Sequence, residues 1–227
     1  MKKNSCFNVI KRLACITVYT FFVINMFGQS TSRPLPQFLY QEFKQGILLM
    51  KDGRKLSAII DYNMLDEKMV FEQKGIYMIL DKPYEIDTVY LDNSKFVYNN
   101  DAFFEVAGHG PVTIFIQHKC HLSPAGSATA YGMTSKTLGP TAVWSMNSGN
   151  QFRNLDLPPN VEISDITVYW VLTDGKMNKF LNERQLLKCF PGYETQIKDF
   201  IKSSKIDIKT SEGLKEMANF CNSLKNK

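Results

Sequence analysis

The sequence is poor in the residues that protein chemistry most often uses. Three histidines, two tryptophans and five cysteines are spread over 227 residues. No GxSxG elbow and no paired-carboxylate motif occurs, and Ser135 and Ser145 read as ordinary loop serines. The glycine-rich Gly108-His109-Gly110-Pro111 leads into an apolar run rather than a helix start, so it reads as a turn and not a phosphate cradle. An apolar stretch long enough to cross a bilayer is missing too. The run 13–27 is about fifteen residues, against the roughly 20 a spanning helix needs.

Acidic residues are absent from positions 1–30, where Lys2, Lys3, Lys11 and Arg12 precede that apolar run and Gly28 and Ser30 follow it. Positive charge, then an apolar core, then small residues is the order of a secretory signal peptide. The expectation is export, with cleavage after Gly28 or Ser30 and an uncleaved N-terminal anchor as the alternative. Cys15 lies near the start of the apolar run and not at its end, which argues against a lipoprotein signal. Without the four basic residues of 1–30, the formal +5 charge becomes 23 basic against 22 acidic side chains. A near-neutral chain disfavours nucleic-acid binding, which rests on many Lys and Arg contacts.

Cys120, Cys189 and Cys221 remain after residue 30. An oxidising compartment permits one disulfide and one leftover thiol. Cys189 and Cys221, both in the tail, form the candidate bridge, and three buried thiols are the alternative.

What is present is strand after strand. Segments 46–51, 56–62, 69–73, 76–80, 86–91, 95–98, 102–107 and 112–118 are short, β-branched or aromatic, and separated by turn residues. Asp52-Gly53 and Asp174-Gly175 are favoured pairs for tight hairpins. Segments 162–172 and 177–181 add two strands, and the period then changes. Asn182 is placed to cap a first helix stopped by Pro191-Gly192. Ile197, Phe200 and Ile201 form one stripe, and Leu214, Met217, Ala218, Cys221 and Leu224 another. The fold expected is mainly β (α+β): an antiparallel meander forming an open barrel or sandwich, with short C-terminal helices packed on its face. The expected division is a signal at 1–30, a β-rich part at 31–122, a Gly/Ser/Thr-rich loop at 123–151, and a hairpin plus helical tail at 152–227 joined to the β-rich part. A transmembrane barrel is disfavoured, since it needs segments of about ten alternating residues and has no place for the tail.

Lys51-Asp52-Gly53, Asp61-Tyr62-Asn63, Ile86-Asp87-Thr88-Val89, Lys95-Phe96-Val97, Phe103-Phe104-Glu105-Val106, Phe180-Leu181 and Asn222-Ser223-Leu224 give the chain a further likeness. On these turn and core patterns it resembles a group of exported proteins common in Bacteroidetes that have no assigned reaction. The resemblance implies a location in the cell envelope.

His109, His118, Cys120 and His121 are the nearest approach to a metal or thiol centre. On a continuous strand, 118 and 120 share one face and 121 the other, so one zinc ion reaches all of them only if the strand stops near 119. Neither a metal nor any other cofactor is expected. Tyr131, Met133 and Trp144 mark the 123–151 loop as a possible ligand or partner segment. The leading expectation is a secreted or periplasmic, non-enzymatic binding or structural protein whose partner is an envelope protein or glycan. The alternatives are a metal-dependent or thiol hydrolase centred on the His/Cys group, and a subunit of an envelope assembly.

Overall fold

The computed structural model describes residues 35–124, 127–128, 134–135, 146–148, 151–152, 155–157 and 161–225. Ten strands form its body: β1 (Lys44–Met50), β2 (Lys55–Asn63), β3 (Lys68–Gln73), β4 (Ile76–Ile79), β5 (Ile86–Leu91), β6 (Ser94–Asn99), β7 (Ala102–Gly108), β8 (Thr113–Pro124), β9 (Val161–Thr173) and β10 (Lys176–Phe180). Three helices follow: α1 (Glu183–Lys188), α2 (Glu194–Ser203) and α3 (Ser211–Lys225). The expected signal at 1–30 and the loop residues Tyr131, Met133 and Trp144 lie outside the described residues.

All neighbours in the sheet are antiparallel, in the order β4-β3-β2-β1-β5-β6-β7-β8-β9-β10, and the sheet does not close. Beyond β4, residues 151–152 and then 146–148 add two short extended pieces. The class is therefore the one expected, a β meander carrying C-terminal helices.

Turn chemistry sets the registers. Asp174-Gly175 makes a two-residue loop with both residues at positive φ (49° and 72°), the twist that suits a right-twisted hairpin. Asp52-Gly53 behaves differently. Only Gly53 has positive φ (87°), and Met50 N donates to Arg54 O, which closes a three-residue loop over Lys51, Asp52 and Gly53. The Asp52 carboxylate accepts from Arg54 N at 3.0 Å, an Asx-type bond that holds this wider turn.

Alternation explains most of the inner face. Leu48, Ile60, Tyr62, Met69, Val89, Leu91, Phe96 and Phe103 cluster on it. On β5, strict alternation sets Ile86 against Val89 and Leu91, yet all three are buried in that cluster. The register with β1 skips Asp87, so a β-bulge turns Ile86 inward.

The tail helices cover the β7–β10 end of this face, as their stripes require. Ile197 and Ile201 of α2, and Leu214, Met217, Ala218 and Cys221 of α3, pack on Ile114, Ile116, Tyr169, Val171 and Phe180. Each fully buried aliphatic or aromatic side chain contributes roughly 1.5–3 kcal/mol. The Asn182 side chain accepts from Gln185 N at 3.0 Å and caps α1, while Gln185 Oε1 accepts from Leu181 N.

Helix α3 is fixed along its length. Its first residue, Ser211, donates to Glu105 at 3.1 Å. A Cβ on Gly108 would lie 2.1 Å from the Ala218 Cβ, so the helix crosses β7 at van der Waals contact and only glycine fits there. Further on, Asn222 Oδ1 accepts from Val112 N at 2.6 Å while its Nδ2 donates to Val112 O and His109 O. Lys225 Nζ bonds Thr173 Oγ1 and Asp174 Oδ1, each at 2.6 Å. Gly108→Val should therefore push α3 off the sheet and abolish a single cooperative thermal transition. Asn222→Ala, which strips the buried Val112 N–H of its acceptor, should cost about 1–3 kcal/mol in urea denaturation and keep the fold.

Candidate functional site

Strands β7 and β8 are paired from Gly108↔Ile114 to Glu105↔Ile116 and then diverge. The tip of the β2–β3 hairpin enters the gap. Cys120 N donates to Met64 O at 3.0 Å, and Phe103 N donates to Glu67 O at 3.1 Å. The Tyr62 hydroxyl lies 3.2 Å from Phe103 O and 2.9 Å from His118 O, sharing one proton between the two carbonyls that the parted strands leave. Glu67 sits at the tip with φ 57°. Its carboxylate accepts from Lys119 Nζ at 2.6 Å and from Gln117 Nε2, and Gln117 Oε1 in turn accepts from Trp170 Nε1 at 2.9 Å.

Directly inside this gap lies the most buried contact between an acidic and a basic side chain among the described residues. His118 Nε2 is 2.6 Å from Glu105 Oε2, with side chains 17% and 9% exposed. The other carboxylate oxygen, Glu105 Oε1, accepts from Ser94 Oγ at 2.8 Å and from Ser211 Oγ at 3.1 Å. The glutamate thus joins β6, β7, β8 and α3. Burial raises the Glu105 carboxyl, but His118, Ser94 and Ser211 together outweigh it and leave the group below its ordinary value. Ser211 opens α3, so the first turn of the helix is tied to this carboxylate through that hydroxyl. Tyr62 stands edge-on to the His118 ring, with centroids 6.2 Å apart, and stacks on Phe96 at 5.7 Å.

The residues singled out from sequence do not come together. His118 and Cys120 point inward from β8, while His121 is exposed and has the opposite strand parity. His109 is exposed beyond the other end of β7. Strand β8 runs on to Pro124 instead of stopping near 119, which removes the spacing a shared ion required. Among the described residues no group of three or more His, Cys, Asp or Glu is placed to hold a metal. Cys120 is no better set as a nucleophile: burial, then Asp165 and Asp66, push its thiol up to about 11, the direction opposite to the one thiolate chemistry needs.

The Cys189–Cys221 bridge is not formed. Cys120, Cys189 and Cys221 are all free, and Cys221 packs in the helical core, where burial pushes its thiol up to about 12. Small apolar-like thiols fill core volume without needing a partner.

Glu105, Ser94 and Ser211 were not identifiable as a site from sequence. The available signal was a lone glutamate on the inward parity of an otherwise apolar strand, Ala102-Phe103-Phe104-Glu105-Val106-Ala107. A charge at such a position needs a partner when the strand folds.

A second buried carboxyl lies outside this network. Asp61 is fully buried beneath the strap 35–43, which crosses the end of β2 through Leu39 N→Tyr62 O and Met64 N→Gln37 O. Its Oδ1 accepts from Tyr62 N at 2.6 Å and Tyr40 N at 3.3 Å, and among the described residues its Oδ2 has no hydrogen-bond partner. Burial raises this carboxyl to about 7, against smaller lowering effects of the two amides and Lys44.

Chemically, the Glu105 cluster can hold layers together, but it is not arranged for acyl transfer. In a triad the serine sits on the histidine and the acid behind it. Here both hydroxyls donate to the acid. No family model, curated protein or solved structure matches the chain.

Two outcomes follow from these carboxyls. Glu105→Ala should destabilise by about 3 kcal/mol, because it strands His118 and unties Ser94 and Ser211, while Ser94→Ala should cost about 1 kcal/mol, both measured by chemical denaturation at pH 7. Asp61 carries the opposite pH sign. Its folded value lies above its unfolded one, so its stabilisation is complete below about pH 4 and is lost as pH rises toward about 7. Asp61→Asn should flatten that slope, gaining up to about 4 kcal/mol over wild type at pH 8 and little at pH 4, in paired urea titrations.

Proposed function

We propose that this protein is exported and works in the cell envelope as a non-enzymatic binding or structural protein. The carrying observation is the fate of Glu105. Each of its carboxylate oxygens is taken up in joining β6, β8 and α3, so this buried and fully hydrogen-bonded carboxylate serves the architecture. The charge, apolar run and small residues of 1–30 support export, and the near-neutral remainder suits a protein that meets other envelope components at its surface. An envelope protein or a glycan is the partner class this reading names. A hydrolase centred on His118 and Cys120 gains no support from the inward, raised thiol or from the separation of His109 and His121.

Fractionation of expressing cells with N-terminal sequencing tests the location: the product should begin just after Gly28 or Ser30 and appear in the periplasm or medium. Recovery in the cytosol with Met1 attached would overturn it. Elemental analysis of untagged protein tests the activity class. Stoichiometric zinc that disappears in His118→Ala would replace this reading with the metal-dependent hydrolase.

A further inference from the structure

Strand β10 has β9 as its one ladder partner among the described residues, so its other side carries unpaired backbone donors and acceptors. A groove of about 590 Å³ runs there. Lys176, Asn178 and Lys179 of β10 line it together with Gln185 and Lys188 of α1. Residues of both strand parities are on its wall, which places the groove along the strand's free side. Asp174, also on the wall, has its carboxylate held by Lys225 Nζ at 2.6 Å. Three lysines therefore line one groove whose acid is already paired.

We propose that this groove takes an extended acidic segment of a partner protein, which adds as an antiparallel strand to β10 with its carboxylates against Lys176, Lys179 and Lys188. Strand addition at an exposed edge draws affinity from main-chain hydrogen bonds and specificity from side-chain complementarity. Charge decides the occupant. A second copy pairing edge to edge would bring two strands together that carry lysines and no acid, and like charges on facing strands repel. An acidic strand meets the opposite sign at the same positions. Lysines on the edge thus reject self-association and admit the complementary partner. The site gives the binding reading a partner class, and its test on purified protein does not depend on export, so failure here leaves the location standing.

The experiment uses the full chain and a fluorescently labelled short peptide of Glu-Glu-Val repeats, which sets carboxylates on both faces of an added strand, read by anisotropy at low salt. Binding is expected, and it should weaken by at least about tenfold in Lys176→Glu/Lys179→Glu and fall further as salt rises. Both lysines are exposed, so the variant should fold, and an unchanged thermal transition checks this. The same peptide with alternate backbone nitrogens methylated should not bind, nor should a lysine–valine peptide. Equal binding of the methylated peptide would reduce the groove to a non-specific charged surface and overturn the proposal. So would an unchanged affinity in the doubly reversed variant, or no binding of the acidic peptide at all.

Discussion

A backbone amide or carbonyl that leaves a sheet has to find another partner, and the parting of β7 from β8 imposes that demand on Phe103, His118 and Cys120. The β2–β3 tip answers it with two carbonyls and one phenol. Placing Tyr62 there brings hairpin β2–β3 across the inner face, covers Phe96 and Phe103, and leaves Glu105 and His118 with protein rather than water around them. The Glu105–His118 contact is a consequence of that closure. A carboxylate taken out of water costs several kcal/mol unless it is paired or hydrogen-bonded, and Ser94, Ser211 and His118 supply its partners.

The same economy runs through the helical layer. Burying the stripes of α2 and α3 provides the driving force but would tolerate sliding. Polar and steric contacts remove that freedom: Ser211 on Glu105, Gly108 under Ala218, Asn222 on the 109–112 turn and Lys225 on Asp174. Polar residues in the described body are thus largely concerned with position.

Much of the fold was legible in the sequence because strand and helix periods are local. Ten short strands were marked by β-branched residues between turn pairs, and the stripes of α2 and α3 were visible at three- and four-residue spacing. What escaped depended on distant neighbours. The outer end of β8, beyond His118, carries little apolar pattern, and its strand character comes from a twelve-pair ladder with β9 that runs on to Pro124. The bulge at Asp87 and the wider loop over Asp52 are set by register with the facing strand. Glu105 was visible only as an oddity: no spacing rule connects it to Ser94 or to Ser211, 106 residues away.

That separation bears on how the chain acquires its shape as it is made. A ribosome delivers Glu105, Gly108 and Val112 long before α3 arrives to cover them. Until then the half-built sheet shows an apolar flank and an unsatisfied turn, the kind of exposure that holding chaperones recognise. Long-range closure of this sort is also slow. Maturation should therefore wait on the emergence of α3, with the intermediate vulnerable to proteases throughout that delay.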